Sequence, residues 1–252
     1  MPAKSKPGET KKRLDVLLTE RGLASSRQRA QALILAGHVR VAGNRIDKAG
    51  TLVLLDAAIE VVGEAMPYAS RGGVKLAGAL DDFGILPEGR TCLDVGSSTG
   101  GFTDCLLQRG AARVYAVDVT VGQLDWKLAH DPRVVAIEKN ARYLQPEDLP
   151  EPVDLVTVDV SFISVSKLLP AIVPLTKLGA DFLILVKPQF ELERRDVGKG
   201  GIVRDGNLHE RAIQKVRAAA EQSLLRVIGV QPSHLAGAEG NQEFFLHARH
   251  SL

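Results

Sequence analysis

The chain lacks most of what would place it outside a cell or in a membrane. It has 2 cysteines in 252 residues, Cys92 and Cys105, and a lone pair at that spacing makes neither a disulfide scaffold nor a metal framework. No metal site is expected. No apolar run approaches the roughly 18–20 residues needed to span a bilayer. The first residues, Met1 to Arg13, are polar and basic and carry no apolar core of a signal peptide. There is no internal repeat and no long low-complexity segment. The formal net charge is only +2. A globular chain with the cytoplasm as its expected compartment and no membrane partner is what these absences leave.

The small net charge is unevenly spread. Residues 1–64 carry 11 Lys and Arg against 7 Asp and Glu, while the rest is slightly acidic. Such an asymmetry suggests a basic module joined to a near-neutral one, although the lysines of the first dozen residues could alone produce a solvated basic tail.

The pattern along the chain also divides in two. Residues 1–10 read as a disordered tail. A helical repeat of Leu14, Leu17 and Leu18 stops at Gly22, and a second helix, capped by Ser26, carries Ala30, Leu33 and Ile34 until Gly37. Short strands follow around 39–41, 53–55 and 59–62, with a turn at Gly43–Asn44. This is an α+β unit over 11–63, followed by a linker at 64–70 that contains Pro67. From 71 to 252 strands and helices alternate. A helix covers about 74–83, and strands fall near 91–95, 113–118, 134–138, 154–160, 181–187, 225–230 and 243–248. The longest helix is expected over 208–225. That alternation predicts an α/β fold with a mostly parallel, seven-stranded sheet covered on both faces. The connection 191–205 is long and Gly-rich, as lids or substrate contacts often are.

The most informative stretch runs from Cys92 to Phe102: a buried strand, a glycine-rich turn and a helix start. Asp118 closes the next strand. Glycines let backbone approach a ligand, and an acid at the second strand end accepts hydrogen bonds from ribose hydroxyls. A dinucleotide site would need G-x-G-x-x-G; here Gly96 is followed by three residues and then Gly100–Gly101. Asp94 at the strand end would repel a pyrophosphate but suits the cationic amino-acid part of S-adenosylmethionine. The plainer alternative is a tight turn before a helix capped by Thr103 or Ser98, which leaves the paired acids unexplained.

Ligands of such sheets bind beyond the carboxyl ends of the strands, which directs attention to Asp94, Asp118, Asp159 and Lys187. Taken singly, Lys187 could snorkel to solvent and Asp159 could cap a helix. Lys75 follows Gly72–Gly73 at a helix start, where a cation is mildly unfavourable, and Glu243 begins the last apolar run, where it could be an edge charge. Together the four suit methylation of a ribose 2′-hydroxyl. A lysine held near a second lysine and away from water serves as base or stabilises the alkoxide, and an aspartate between them holds their geometry.

The set Lys75, Asp159, Lys187 and Glu243 resembles the Lys-Asp-Lys-Glu tetrad of FtsJ-type 2′-O-ribose methyltransferases. The strings 70–76, 94–104, 159–164 and 186–191 are closer still to the TlyA family, whose members are also called haemolysin A-like, and the likeness extends over nearly the whole chain. The segments 13–15, 27–30 and 37–41 resemble that family's alpha-L, or ribosomal-protein-S-four-type, RNA-binding domain. The resemblance implies a Rossmann-like class I methyltransferase that uses S-adenosylmethionine to 2′-O-methylate cytidine in ribosomal RNA, 16S, 23S or both. It makes Lys187 the central base or alkoxide stabiliser, with Lys75 and Asp159 tuning it and Glu243 completing the network. Asp94, Gly96, Ser97, Gly100 and Phe102 would line the methionine part of the donor, and Ser98, Thr99 and Gly101 would also belong to the donor site. Asp118 and Val119 would bind its ribose, and Asn140, Ala141 and Arg142 would lie near the adenine. Thr120 departs from the glycine expected there. Arg13, Arg27, Arg29 and Arg40 would hold phosphates, giving ribosomal RNA or ribosomal subunits as partner and no obligate protein partner. Other readings are a non-catalytic RNA-binding ribosome factor, a membrane-active haemolysin and a pseudouridine synthase; the last fits the alternating C-terminal half poorly.

Overall fold

The computed structural model describes residues 10–24, 26–35, 37–62, 67–237 and 240–251. The expected disordered tail lies outside the described residues except for Thr10, as do 64–66 of the expected linker. The chain divides into two compact units, Met1–Pro67 and Tyr68–Leu252. Tyr68 and Ala69 pack against the core of the second unit, and the Ala69 amide donates to Asp104 at 2.7 Å.

In the first unit β1 (Lys11–Arg13), which the sequence pattern did not reveal, precedes α1 (Leu14–Glu20) and α2 (Arg27–Leu35). Then come β2 (Val39–Val41), β3 (Asn44–Ile46), β4 (Leu52–Leu54) and β5 (Ile59–Val61). Strand β1 pairs antiparallel with β4, and β2 lies between β3 and β5. Leu14, Leu17, Leu18, Ala30, Ile34, Val39 and Val53 form the core, so the helical spacing read from the sequence is the buried face. Ser26 caps α2, its Oγ accepting from the Arg29 amide at 3.1 Å. The hairpin turn falls one residue earlier than expected, on Ala42 and Gly43 with φ of 47° and 80°. Asn44 already pairs with Val41, and a two-residue hairpin turn takes positive φ at both central positions.

The second unit runs α3 (Arg71–Phe83), β6 (Thr91–Val95), α4 (Gly101–Gln108), β7 (Arg113–Asp118), α5 (Trp126–Ala129), β8 (Val134–Glu138) and β9 (Val153–Val158). It continues with α6 (Leu169–Ile172), β10 (Thr176–Val186), α7 (Pro188–Glu191), α8 (Gly206–Gln222), β11 (Leu225–Pro232) and β12 (Phe244–His250). One seven-stranded sheet has the order β11-β12-β10-β9-β6-β7-β8. Strands β6 to β10 pair in parallel, whereas β12 is antiparallel to both β10 and β11.

Successive side chains of a strand point to opposite faces, and the core divides accordingly. Leu93, Val95, Phe182, Ile184 and Val186 join one apolar cluster with α6 and α8. Cys92, Leu155, Leu183 and Leu185 join a second with α3 and α4. Both cysteines are buried and unpaired, and burial pushes each thiol up to about 12.

Candidate active site

The carboxyl ends of β6, β7, β9 and β10 bring the predicted acids and lysines to one end of the sheet. Gly96 turns the chain out of β6 with φ +87°, and a Cβ there would lie 2.2 Å from the Asp159 carbonyl. Glycine is therefore required both by the backbone and by the approach of the segment after β9. The Asp159 amide donates to the Val95 carbonyl at 2.9 Å, fixing Asp159 beside the glycine loop. On its far side the loop meets α3: a Cβ on Gly73 would sit 2.7 Å from the Gly101 carbonyl, and one on Gly101 would sit 2.1 Å from Ser70 Oγ. The starts of α3 and α4 thus cross in near-backbone contact.

Between them opens a cleft of ≈ 590 Å³, its solvent-facing mouth included, lined chiefly by Ser70–Gly72, Lys75, Gly96–Thr99, Gly101, Phe102 and Asp159. Helix α3 begins at Arg71 rather than near Val74, which is why Ser70, Arg71 and Gly72, named in the sequence only as part of a motif, become part of the wall.

The tetrad resolves into two ion pairs. Lys75, 8% exposed in the first turns of α3, donates to Glu243 Oε2 at 2.5 Å. Lys187, following β10, pairs with Asp159, following β9, and its Nζ donates to Ser161 Oγ at 3.1 Å. Glu243 precedes a strand rather than ending one. It reaches the site because β12 runs antiparallel, with Phe244 opposite Val186.

Several predicted residues take other places. Asp94 is fully buried and turned inward, accepting from Thr103 Oγ1 at 2.7 Å and Thr157 Oγ1 at 3.0 Å. It does not line the cleft. Burial pushes its carboxyl up to about 7, against the hydroxyl bonds that favour the charged form. Its two hydroxyl bonds tie the end of β6 to α4 and β9. Thr103 and Ser98 do not cap α4, whose N-cap is Gly100 without a side-chain bond; Thr103 is spent on Asp94. Gly100 is packed over Leu124 and Leu128, away from the cleft lining. Asp118 accepts from the Ser98 amide at 2.9 Å and the Thr120 amide at 3.1 Å, so Thr120 holds the carboxylate where a glycine was expected. Val119 is exposed beside it. Asn140 caps the turn Ala141–Tyr143 by accepting from the Arg142 amide at 3.0 Å. It, Ala141 and Arg142 lie outside the cleft lining.

In the first unit Arg13 and Arg27 both donate to the buried Asp15, as does Gln31. The Arg13 guanidinium bond holds that carboxyl below the usual range against the effect of burial, with Gln31 and Arg27 assisting. These two arginines are committed to a structural acid. Arg40 is exposed on β2 and Arg29 half-exposed on α2.

The connection 191–205 is pinned, not loose. Asn241, 1% exposed, accepts from the Val203 amide at 2.8 Å and donates to the Gly201 carbonyl at 2.9 Å. Sequence reasoning missed Phe162, which is 91% exposed with φ +65° and has its ring centroid 5.2 Å from that of Phe190. Among the described residues no helix is long and apolar enough to cross a membrane, and no group of His, Cys, Asp and Glu could hold a metal ion.

Comparison with known proteins adds to this geometry. The model of the FtsJ-like methyltransferase family matches residues 68–250, and that of the S4 domain matches 12–59. The 16S/23S rRNA (cytidine-2′-O)-methyltransferase TlyA of Mycobacterium tuberculosis is 48% identical over 239 residues, 94% of this chain and 89% of that protein. Hemolysin A of Brachyspira hyodysenteriae is 44% identical over 93% of this chain and 98% of its own length. A solved haemolysin-named protein of Streptococcus thermophilus, 40% identical, superposes with a TM-score of 0.76 over 97% of this chain and 90% of that one.

Proposed function

The chain belongs to the TlyA family of FtsJ-like methyltransferases and carries an S4 domain; from that premise we propose that it transfers a methyl group from S-adenosylmethionine to a cytidine 2′-hydroxyl of ribosomal RNA. The observation that carries this reading is the pair of lysines, Lys75 buried and Lys187 half-buried, each matched to one carboxylate, beside a glycine-walled cleft. A fold scaffold has no use for two such lysines at one strand-end site, since an ion pair taken out of water is often no more stable than apolar packing.

The cleft suits the donor in three respects. The amides of the first α4 residues, Gly101 and Phe102, on the cleft wall suit a carboxylate, with the Arg71 guanidinium nearby. Asp159 on the wall suits a cation, and Gly72, Gly96 and Gly101 leave room for backbone-close packing. Asp118, at the neighbouring strand end, retains acceptor capacity for ribose hydroxyls. When bound, the donor supplies a methyl group on a cationic sulfur.

The protein's own residues do the rest. An ammonium has three donors; Asp159 and Ser161 engage Lys187, and the remaining direction serves the substrate oxygen. As the ammonium Lys187 holds the developing alkoxide, and only as the neutral amine, with its lone pair towards the substrate, does it take the hydroxyl proton; Lys75, charge-paired with Glu243, supplies a second ammonium at the site. Phe162 offers its face to the substrate base. The first unit holds structured RNA through Arg29 and Arg40, with the outer faces of Arg13 and Arg27 in support. The cytoplasm, where ribosomes are modified, is the compartment this reading requires.

The test is methyl transfer from labelled S-adenosylmethionine to separated small and large ribosomal subunits and to naked ribosomal RNA. Label in RNA establishes the reaction and names the subunit. Donor binding without label on any RNA would instead favour a non-catalytic ribosome factor.

A further inference from the structure

Lys187 and Asp159 stand at the ends of adjacent strands, and each is followed by a short irregular segment. The strand pairing ends at Val158 and Val186, and past it only the Asp159 amide still bonds across, to the Val95 carbonyl at 2.9 Å, leaving the residues after Asp159 to be held by other contacts. Glu191, at the end of α7, joins the two segments. It is 2% exposed. Its Oε2 accepts from Ser164 Oγ at 2.5 Å and its Oε1 from the Val165 amide at 2.8 Å, and Ser164 Oγ lies 2.7 Å from Ser166 Oγ. On the other side Lys215 of α8 donates to the Glu191 carbonyl at 2.5 Å, with its Nζ 3.7 Å from the carboxylate. A buried carboxylate costs free energy unless its bonds are made, and here both oxygens accept from the segment after β9, with Lys215 as counter-charge.

That segment, 159–164, carries three groups that face the candidate chemistry: Asp159, paired with Lys187; Ser161, whose hydroxyl accepts from Lys187; and exposed Phe162. Phe162 has positive φ, a strained state for a bulky residue that persists only where the surroundings over-determine it. Its ring against Phe190 is a second tie between the same two segments.

We propose that Glu191 is a positioning residue for Lys187: its buried carboxylate locks the segment after β9 to α7, so that Asp159 and Ser161 meet Lys187 in one fixed arrangement. This rests on the methyltransferase reading above. Glu191 touches neither donor nor RNA and acts through the segment it holds.

The experiment compares Glu191→Ala, Glu191→Gln and wild type as full-length proteins, measuring kcat, the KM for each substrate and the Kd for S-adenosylmethionine, with the responsive ribosomal RNA as acceptor. Glutamine can still accept from the Val165 amide and bond Ser164, so it should restore function. The expected result is a fall of about 10–100-fold in kcat for Glu191→Ala, since a misplacement near 1 Å costs up to that order. Donor Kd should stay within about twofold, and Glu191→Gln within about threefold of wild type. Ser164→Ala removes one of the bonds while keeping the carboxylate, and covers the case in which Glu191→Ala fails to fold; its kcat should fall about 3–10-fold with donor Kd unchanged. An active wild type with kcat unchanged in Glu191→Ala, or in Ser164→Ala where the first variant does not fold, overturns the positioning role alone. So does loss of donor binding in proportion to kcat. A wild type inactive on every RNA overturns the methyltransferase reading, and this proposal with it.

Discussion

Two charged centres lie along β10, one midway and one just past its carboxyl end, and they are wired differently. Midway, Asp181, 4% exposed, accepts from Arg90, His247 and Arg249 at 2.9–3.0 Å. Burial alone would raise its carboxyl; the bonds from His247, Arg90 and Arg249 hold it below the usual range. Past the carboxyl end Lys187 has one carboxylate and one hydroxyl, and Lys75 has one carboxylate. The first centre is saturated with donors and is not among the residues lining the cleft; the second is sparingly paired and opens onto it. Burial of charge does not by itself distinguish a structural centre from a reactive one. Unspent bonding capacity next to a cleft does.

The comparison can be broken most decisively at Lys187. Lys187→Ala should lower methyl transfer by about 10²–10⁴-fold, the range for a general acid–base group, with the circular dichroism spectrum and donor affinity retained. A melted protein would mean that the lysine is structural after all. At the centre midway along β10, Asp181→Ala should leave turnover per folded molecule within about twofold but cost about 3–5 kcal/mol of stability, because three basic side chains lose their partner; urea titration measures it.

Asp94 lies at the reactive end yet is wired as structure, and pH separates the two roles. Its carboxyl titrates near 7 in the folded protein against an ordinary value of 3.8. Between those values the folded state binds the extra proton, so this group's contribution makes stability fall as pH rises through the window. Asp94→Asn removes that slope. Urea titrations at pH 5 and pH 8 should show the variant gaining on wild type by about 1–3 kcal/mol at the higher pH; a constant difference would place the charge elsewhere.

The smallest effect is expected in the first unit. Arg40→Ala should weaken RNA binding by about 1 kcal/mol and reduce the salt slope by about 1. Arg27→Ala, by contrast, should destabilise that unit through Asp15 as well. Equal effects on binding alone would erase the distinction drawn between the two arginines.

Much of this was legible in the sequence. Alternation of apolar strands and helices placed seven strands close to where they are observed; the inner strands β6, β7, β9 and β10 are buried on both faces along most of their paired length and read as continuous apolar runs, while the edge strands β8 and β11 are only partly buried. Strand-end position gave Asp118, Asp159 and Lys187, because in a parallel sheet every carboxyl end faces one way. Glu243 was harder: an acid at a strand start reaches the site only if that strand is inverted, and hydropathy does not record direction. The inward turn of Asp94 was not legible for a related reason. Alternation assigns it to a face of the sheet but not to the side of the loop it supports. Arg13 and Arg27 looked free because Asp15, the acid that holds them, sits among the leucines of a helix and reads as a surface residue.

The account's central claim is most directly tested on one product. Ribosomal RNA incubated with S-adenosylmethionine and either wild type or Lys187→Ala is digested to nucleosides, and the methylated species is identified by mass. The account predicts 2′-O-methylcytidine with wild type and none above background with the variant. A base-methylated nucleoside, or the same yield of 2′-O-methylcytidine from both proteins, would contradict it.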